Sequence, residues 1–334
     1  MTEDINDKLI AGKLPGDPNE GAVILSANVP RIKTVAEMLQ GSQRRLLDKS
    51  YKRGLTTGHA GLDEATGGLV GGFVWVFGAI SSWGKSSFLI SMADENIKAG
   101  KKVLIVSAED DESLYSDRLL IRRSRVSADR FRKKKLTREE YDATARVIAA
   151  GEDSPCFFDA RGKSIEWTMA RVEELIEEYD IDAALFDYLQ RFDSDKRTTD
   201  RRMQVNHIYN SISNTCKVRK VPCVIFSQIT PSDNKPYPDK YSLRESQDTA
   251  NASEVVALGF TPEEDLARGD KVLAEARKKN IYLDKNKNGI PDQFFEMNWN
   301  NDCACFDTVL SKEKQYYQEV TGGAFDDFGE EYAA

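Results

Sequence analysis

Residues 79–86 read Ala79-Ile80-Ser81-Ser82-Trp83-Gly84-Lys85-Ser86, the relaxed form of a phosphate-binding loop whose strict pattern begins with glycine. The apolar run Phe73-Val74-Trp75-Val76-Phe77 precedes it as a buried strand, and Ser87 to Ala99 follow with helical spacing and no proline. Strand, tight loop and helix are what this chemistry requires. Backbone N–H groups from Ala79 through Ser81, Ser82, Trp83, Gly84, Lys85, Ser86 and Ser87 would wrap the phosphates of ATP at the positive end of the helix. Lys85 would reach the β- and γ-phosphates, and the Ser86 hydroxyl would hold Mg²⁺. Gly84 lets the backbone come close where a Cβ would clash.

Three further residues end apolar runs that read as central strands. Asp187 closes Ala183-Ala184-Leu185-Phe186, and a carboxylate there stands beside the phosphate loop as a Mg²⁺ ligand. Glu109 follows Val103-Leu104-Ile105-Val106-Ser107 and is the base expected to polarise an attacking water. Its neighbours Asp110, Asp111 and Glu112 also suit the start of a helix. Gln228 follows Val224-Ile225-Phe226-Ser227, where an amide can sense the γ-phosphate.

The elements that must position these groups alternate. Strands are expected at 73–78, 103–107, 156–159, 183–187, 222–227, 254–260, 277–284 and 293–298. Helices are expected at 86–99, 112–126, 137–150, 164–179 and 202–219. That order predicts an α/β domain with a mostly parallel sheet covered on both faces and an antiparallel edge made by the late strands. Four segments follow. Residues 1–30 read as a flexible leader, 31–50 as a short helix with an apolar stripe interrupted at Gly41, 51–312 as the catalytic domain, and 313–334 as a disordered acidic tail.

A chain of 334 residues buries about 75% of its unfolded surface and needs no staples. Five cysteines and two histidines complete no disulfide framework or zinc site, which suits reduced thiols and a cytoplasmic location (the host cytoplasm, if the protein is phage-encoded). No apolar run reaches the length of a membrane span. Net charge is −8, against coating of nucleic acid by bulk positive charge. Residues 315–334 carry five acidic and no basic side chains and leave −3 for the remainder. Local basic surfaces therefore remain open. The densest run, Arg118 to Arg138, is expected to be a solvated helix face.

Taken in order, these elements resemble a RecA-like ATPase, more narrowly the motor domain of DnaB-type replicative helicases, over about residues 31–310. The resemblance rests on Thr57-Gly58 with Leu62-Asp63, Gly67-Gly68-Leu69, the phosphate loop, and the basic stretch Arg130 to Glu140. It continues through Phe186-Asp187-Tyr188-Leu189-Gln190, Phe226-Ser227-Gln228, Leu243-Arg244-Glu245-Ser246 and Lys285-Asn286-Lys287-Asn288-Gly289. It implies a ring, usually of six subunits, with nucleotide between neighbours, moving 5′ to 3′ on single-stranded DNA and opening a fork. Lys285 and Lys287 would reach the γ-phosphate of the adjacent subunit, and the 31–50 helix would dock on that subunit. Arg244 and Glu245 would follow the DNA backbone, with Gln247 beside them where the helicases have glycine. By the same resemblance, Arg197, Arg201, Arg202, Lys235 and Lys240 lie in loops that contact single strands. Aromatics are sparse in those loops, and Tyr237 and Tyr241 are the candidates for stacking. Lys287 stands where the family has an arginine, a point charge in place of a planar fork. The Lys-x-Lys pair also resembles RecA-type recombinases, which keeps a filament-forming strand-exchange ATPase as the alternative. The short leader resembles phage or plasmid forms without an N-terminal collar. The acidic tail resembles tails that dock on a polymerase or another replisome protein, and a primase, a loader or a single-strand-binding protein are further expected partners.

Overall fold

The computed structural model describes residues 33–47, 54–151, 154, 156–196, 198, 200–230, 237–243, 247–262 and 278–311. The chain divides into two units, residues 1–52 and 53–334. In the first, helix α1 spans Val35–Leu47. Its start is fixed reciprocally: Thr34 N–H donates to Glu37 Oε2 at 2.7 Å and Glu37 N–H to Thr34 Oγ1 at 3.2 Å. Gly41 lies inside this continuous helix, because one glycine costs only about 1 kcal/mol relative to alanine. Val35, Met38, Leu39, Leu46 and Leu47 are exposed on it. The leader and the acidic tail lie outside the described residues.

In the second unit, α2 (Ala60–Thr66) precedes β1 (Val74–Ala79) and α3 (Lys85–Lys98). Next come β2 (Val103–Ser107), α4 (Glu112–Ser124), α5 (Ala128–Arg132), α6 (Arg138–Ala150), β3 (Phe157–Asp159) and α7 (Ile165–Tyr179). Then follow β4 (Ala183–Asp187), α8 (Arg201–Arg219), β5 (Cys223–Gln228), α9 (Gln247–Ala252) and β6 (Val255–Phe260). The chain continues with β7 (Lys279–Asn286), β8 (Gln293–Asn300) and β9 (Cys305–Asp307). The nine strands run in the order β3-β2-β4-β5-β1-β6-β7-β8-β9. The first six are parallel and the last three antiparallel, the mixed sheet expected from the alternation.

Both faces of this sheet are covered, and β1 shows how. Val74 and Val76 join a core with Ile165, Val172, Val205 and Ile208 of α7 and α8. Trp75 and Phe77 join the opposite core with Phe88, Leu89 and Met92 of α3. Alternation along one strand thus feeds two helical layers. The Thr57-Gly58…Asp63 motif is structural: Asp63 accepts from Thr57 N–H at 2.8 Å and Thr56 Oγ1 at 2.5 Å, and Asn96 of α3 donates to Thr56 O at 2.8 Å.

The basic run is not a solvated face throughout. Arg122 of α4 is only 4% exposed and reaches the fully buried Asp94 on α3 at 2.8 Å and Glu95 at 2.6 Å. Its guanidinium also donates to Phe306 O on β9. Arg123 reaches Asp94 at 2.6 Å, Arg125 pairs with Asp307, and Arg130 pairs with Glu140. Burial pushes the Asp94 carboxyl up, but Lys98 and Arg123 outweigh it and hold the group below the usual carboxylate range. This network clamps the far end of the helix that starts at Lys85. Asp94 keeps Lys98 and Arg123 when Arg122 is removed, so Arg122→Ala is expected to lose about 1.5–3 kcal/mol in urea unfolding at pH 7, the worth of its charge-assisted hydrogen bonds. An exposed replacement such as Lys133→Ala should change almost nothing.

Candidate active site

Four adjacent parallel strands deliver the expected groups to one edge. Glu109 follows β2, Asp187 ends β4, Gln228 ends β5, and the phosphate loop leaves β1. Register brings them level, with Ser107 opposite Asp187 and Ala79 opposite Gln228. The loop turns through Ser82 at φ 66° and Gly84 at φ 111°, left-handed conformations that cost little only for glycine. A Cβ on Gly84 would also stand 3.3 Å from both the Phe306 and the Trp299 rings. Trp83 points inward: it is 1% exposed, stacks on Phe306 with centroids 4.9 Å apart, and donates its indole N–H to Phe260 O at 3.0 Å. Only its backbone is left for phosphate, and its indole anchors the loop. Lys279 adds a second anchor, donating to Trp83 O at 2.6 Å.

Lys85 opens α3 with its ammonium 4.2 Å over the Tyr188 ring. Burial pushes its pKa down, while Asp187 and Glu109 hold it up. Asp187 is wholly buried. Its Oδ2 accepts from Tyr115 Oη at 2.7 Å, and its Oδ1 is buried with no hydrogen-bond partner. Burial raises its pKa, and Tyr115, Lys85 and Ser86 pull the other way. An unpartnered carboxylate oxygen beside the first hydroxyl of a phosphate-binding helix fits a hard cation such as Mg²⁺. Glu109 is half-buried; burial, then Asp187 and Asp110, raise its pKa, the direction a general base at neutral pH needs. Arg191 approaches it at 4.0 Å.

Sequence reasoning gives Gln190 no task of its own, and the structure does. Its amide donates to Ser227 Oγ at 2.8 Å and Gln228 O at 3.2 Å, and its Oε1 accepts from Gln228 N–H at 3.2 Å. It locks the exits of β4 and β5 together. Its place three residues past the strand-ending Asp187 is the available signal.

Lys285 and Lys287 are not part of this edge. β7 runs antiparallel to β6 with Asn286 opposite Val255, so the pair ends at the N-terminal foot of the parallel strands. Lys287 Nζ pairs with Glu254 at 3.0 Å, and Glu254 Oε2 accepts from Val74 N–H, the first residue of β1, at 3.0 Å. Lys285 Nζ donates to Ala250 O at 3.1 Å and Asn251 O at 2.6 Å, at the end of α9. The length of β1, about 17 Å for six residues, separates the foot from this chain's own phosphate loop, more than a lysine side chain spans.

The profile of the DnaB-like helicase C-terminal domain family matches residues 54–308. The chain belongs to that family. It is 26% identical over 248 residues to the replicative DNA helicase DnaC of Bacillus subtilis (strain 168), covering 71% of this chain and 52% of that one. It is 25% identical over 248 residues to a probable plasmid replicative DNA helicase of Chlamydia psittaci, covering 72% of this chain and 52% of that one. Among solved structures, the ATPase domain of a DnaB-like helicase superposes with a TM-score of 0.74 at 16% identity, over 84% of this chain and all of that one. A DnaB-like replicative helicase solved for its interactions with primase gives 0.73 at 17%, over 83% and 69%. These two share the fold. The chain spans about half the length of the curated relatives it matches. Those relatives are replicative helicases, and the strand-exchange alternative is not favoured.

Within this DnaB-like domain the expected DNA contacts are unevenly described. Arg197, Lys235, Arg244 and Glu245 lie outside the described residues, as does the side chain of Gln247, the first residue of α9. Arg201 donates to Gln190 O, tying α8 to the β4 exit. Arg202 forks onto Asp248 of α9 at 2.8 and 3.1 Å. Lys240 stands in a 3₁₀ turn with Nζ 5.6 Å from the Tyr241 ring centre. Tyr237 packs against Tyr282 and Phe294, each 4.9 Å away. Among the described residues, no helix is long and apolar enough to cross a membrane.

The raised pKa of Asp187 has a testable sign. Its folded form holds a proton more tightly than the unfolded chain does, so it favours folding at low pH and costs stability as pH rises through the unfolded value toward the folded one. In Mg²⁺-free buffer, Asp187→Asn should therefore melt higher than the parent at pH 7–8, with the gap closing in acid. Equal melting curves across that range would contradict a desolvated, unpaired carboxylate.

Proposed function

We propose that this domain is the ATP-driven motor of a ring-forming replicative DNA helicase, translocating 5′ to 3′ on single-stranded DNA and separating duplex at a fork. The observation that carries the reading is the split of the catalytic groups between two edges of one sheet. Lys85, Ser86, Glu109, Asp187 and Gln228 face one edge, and Lys285 and Lys287 the other. A neighbour presenting its lysine edge to this phosphate loop makes one complete site from two chains. Repeated around a closed ring, such heterologous contacts leave no open ends. Helix α1, with its exposed apolar stripe, is proposed to hold the neighbour. The acidic tail is proposed to dock on a basic cleft of a replisome partner such as a polymerase, primase, loader or single-strand-binding protein.

Each residue then has a task. Lys85 and the loop N–H groups hold the β- and γ-phosphates, and Ser86 with Asp187 holds Mg²⁺. The cation, when bound, would neutralise negative charge on the β- and γ-phosphates. Glu109 accepts the proton of the attacking water, and its raised pKa supports that role. Gln228 orients toward the γ-phosphate. The neighbour's Lys285 and Lys287 meet charge as it develops on the transferred group. Before that they are released from Ala250, Asn251 and Glu254, or share their donors with the phosphate. The load is modest, since each base-pair step resists by roughly 1.4 kcal/mol.

Mixing two dead variants tests the split. Lys85→Ala and Lys287→Ala should each lower hydrolysis by at least about a hundredfold and abolish unwinding of a forked substrate. Mixed, they should recover a measurable fraction, because some interfaces pair an intact phosphate loop with an intact lysine. No recovery in mixed rings would place Lys287 outside the neighbour's site. Separately, the affinity for oligo-dT should fall with salt by a log–log slope of about −0.7 for every phosphate neutralised; a slope near zero would rule out a phosphate-tracking channel.

A further inference from the structure

We propose that Tyr241 is a base-stacking platform for single-stranded nucleic acid, a contact to base faces added to the phosphate contacts of the motor. The proposal rests on the helicase reading and sharpens it. Tyr241 is 62% exposed, yet the turn carrying it is held by hydrogen bonds and by buried neighbours. The residues after it, Ser242 and Leu243, are buried, with Leu243 wholly so. Asp239 Oδ1 accepts from Tyr241 N–H at 3.0 Å and Ser242 Oγ accepts from Asp239 N–H at 3.2 Å, a reciprocal cap on the short turn. Lys240 N–H donates to Asp284 on β7 at 3.1 Å. Leu243 and Ile229 pack over Gly78, where a Cβ would stand 3.1 and 2.7 Å from them. A large aromatic ring that the fold could have buried is thus held outward on a rigid mount.

One neighbour points to the ligand. The Lys240 ammonium lies 5.6 Å from the ring centre, a cation placed to meet the phosphate beside a stacked base. Alternating aromatic and cation is the chemistry by which proteins hold single strands without reading sequence. The mount also leads to the nucleotide. Thr230 N–H donates to Ser242 O at 3.3 Å, only two residues beyond Gln228, and Ile229 N–H donates to Ala79 O at 3.2 Å. The platform is therefore tied to the sensor amide and to the first residue of the phosphate loop by short, ordered links. Tyr237, four residues earlier, is consumed by its aromatic cluster, which leaves Tyr241 as the exposed aromatic among the described residues of this loop.

The test is fluorescence anisotropy of labelled oligo-dT with the full chain and a non-hydrolysable ATP analogue. Tyr241→Ala should bind roughly 5- to 100-fold more weakly with an unchanged salt slope, because stacking releases no counterions. Tyr241→Phe and Tyr241→Trp should stay close to the parent, and Lys240→Ala should reduce the slope by about 0.7. DNA-independent hydrolysis and melting temperature should be unaltered in Tyr241→Ala. Parental affinity in Tyr241→Ala, or an equal loss in Tyr241→Phe, overturns the platform while leaving the helicase reading intact. A parent chain that binds no single strand overturns both.

Discussion

Asp187 keeps a carboxylate at the end of a central strand, shut off from solvent, with one oxygen unpaired. Burying such a group is expensive unless charge or hydrogen bonds compensate it. Here compensation is partial and comes from two elements: Tyr115 on α4, and Lys85 with Ser86 at the start of α3. Each arrives from a different part of the chain, so the surroundings of this one charge depend on the strand order and on the helices above it. The remaining deficit is one that a divalent cation would make good.

The loop opposite Asp187 depends on packing beneath it. Its conformation is unfavourable at Ser82 and tolerable at Gly84 only because no side chain competes with the Phe306 and Trp299 rings. Trp83 fills the space left by Gly259, whose Cβ would fall 2.7 Å from the indole. Helix α3 is gripped at its other end by Arg122 and Arg123. A phosphate loop held at both its tip and its helix needs no reorganisation when charge arrives, which is the condition for electrostatic stabilisation in a site.

Much of this is legible in the residues alone, where the signal is local. Strand, loop and helix around Lys85 follow from one unbroken stretch, residues 73–99, and the parallel sheet from alternation of periods. The order of the strands is not, since nothing in Val224-Ile225-Phe226 says that β5 lies between β1 and β4. Short elements escape notice: α2, α5, α9 and β9 have 7, 5, 6 and 3 residues, too few to show a period. The basic run misleads because the carboxylates that bury Arg122 lie 28 and 27 residues upstream. Trp83 reads as a phosphate ligand because the motif marks its backbone; its side chain obeys the core instead.

Glu254 joins facts that lie at the two ends of the enzyme. One of its oxygens receives Lys287 and Lys217, and the other receives the first N–H of β1. The carboxylate that pairs with Lys287, the lysine proposed to serve a neighbouring chain, thus also seats the strand that carries this chain's own loop. The two cannot be altered independently. The charge that holds Lys287 is therefore also a constraint on where β1 begins.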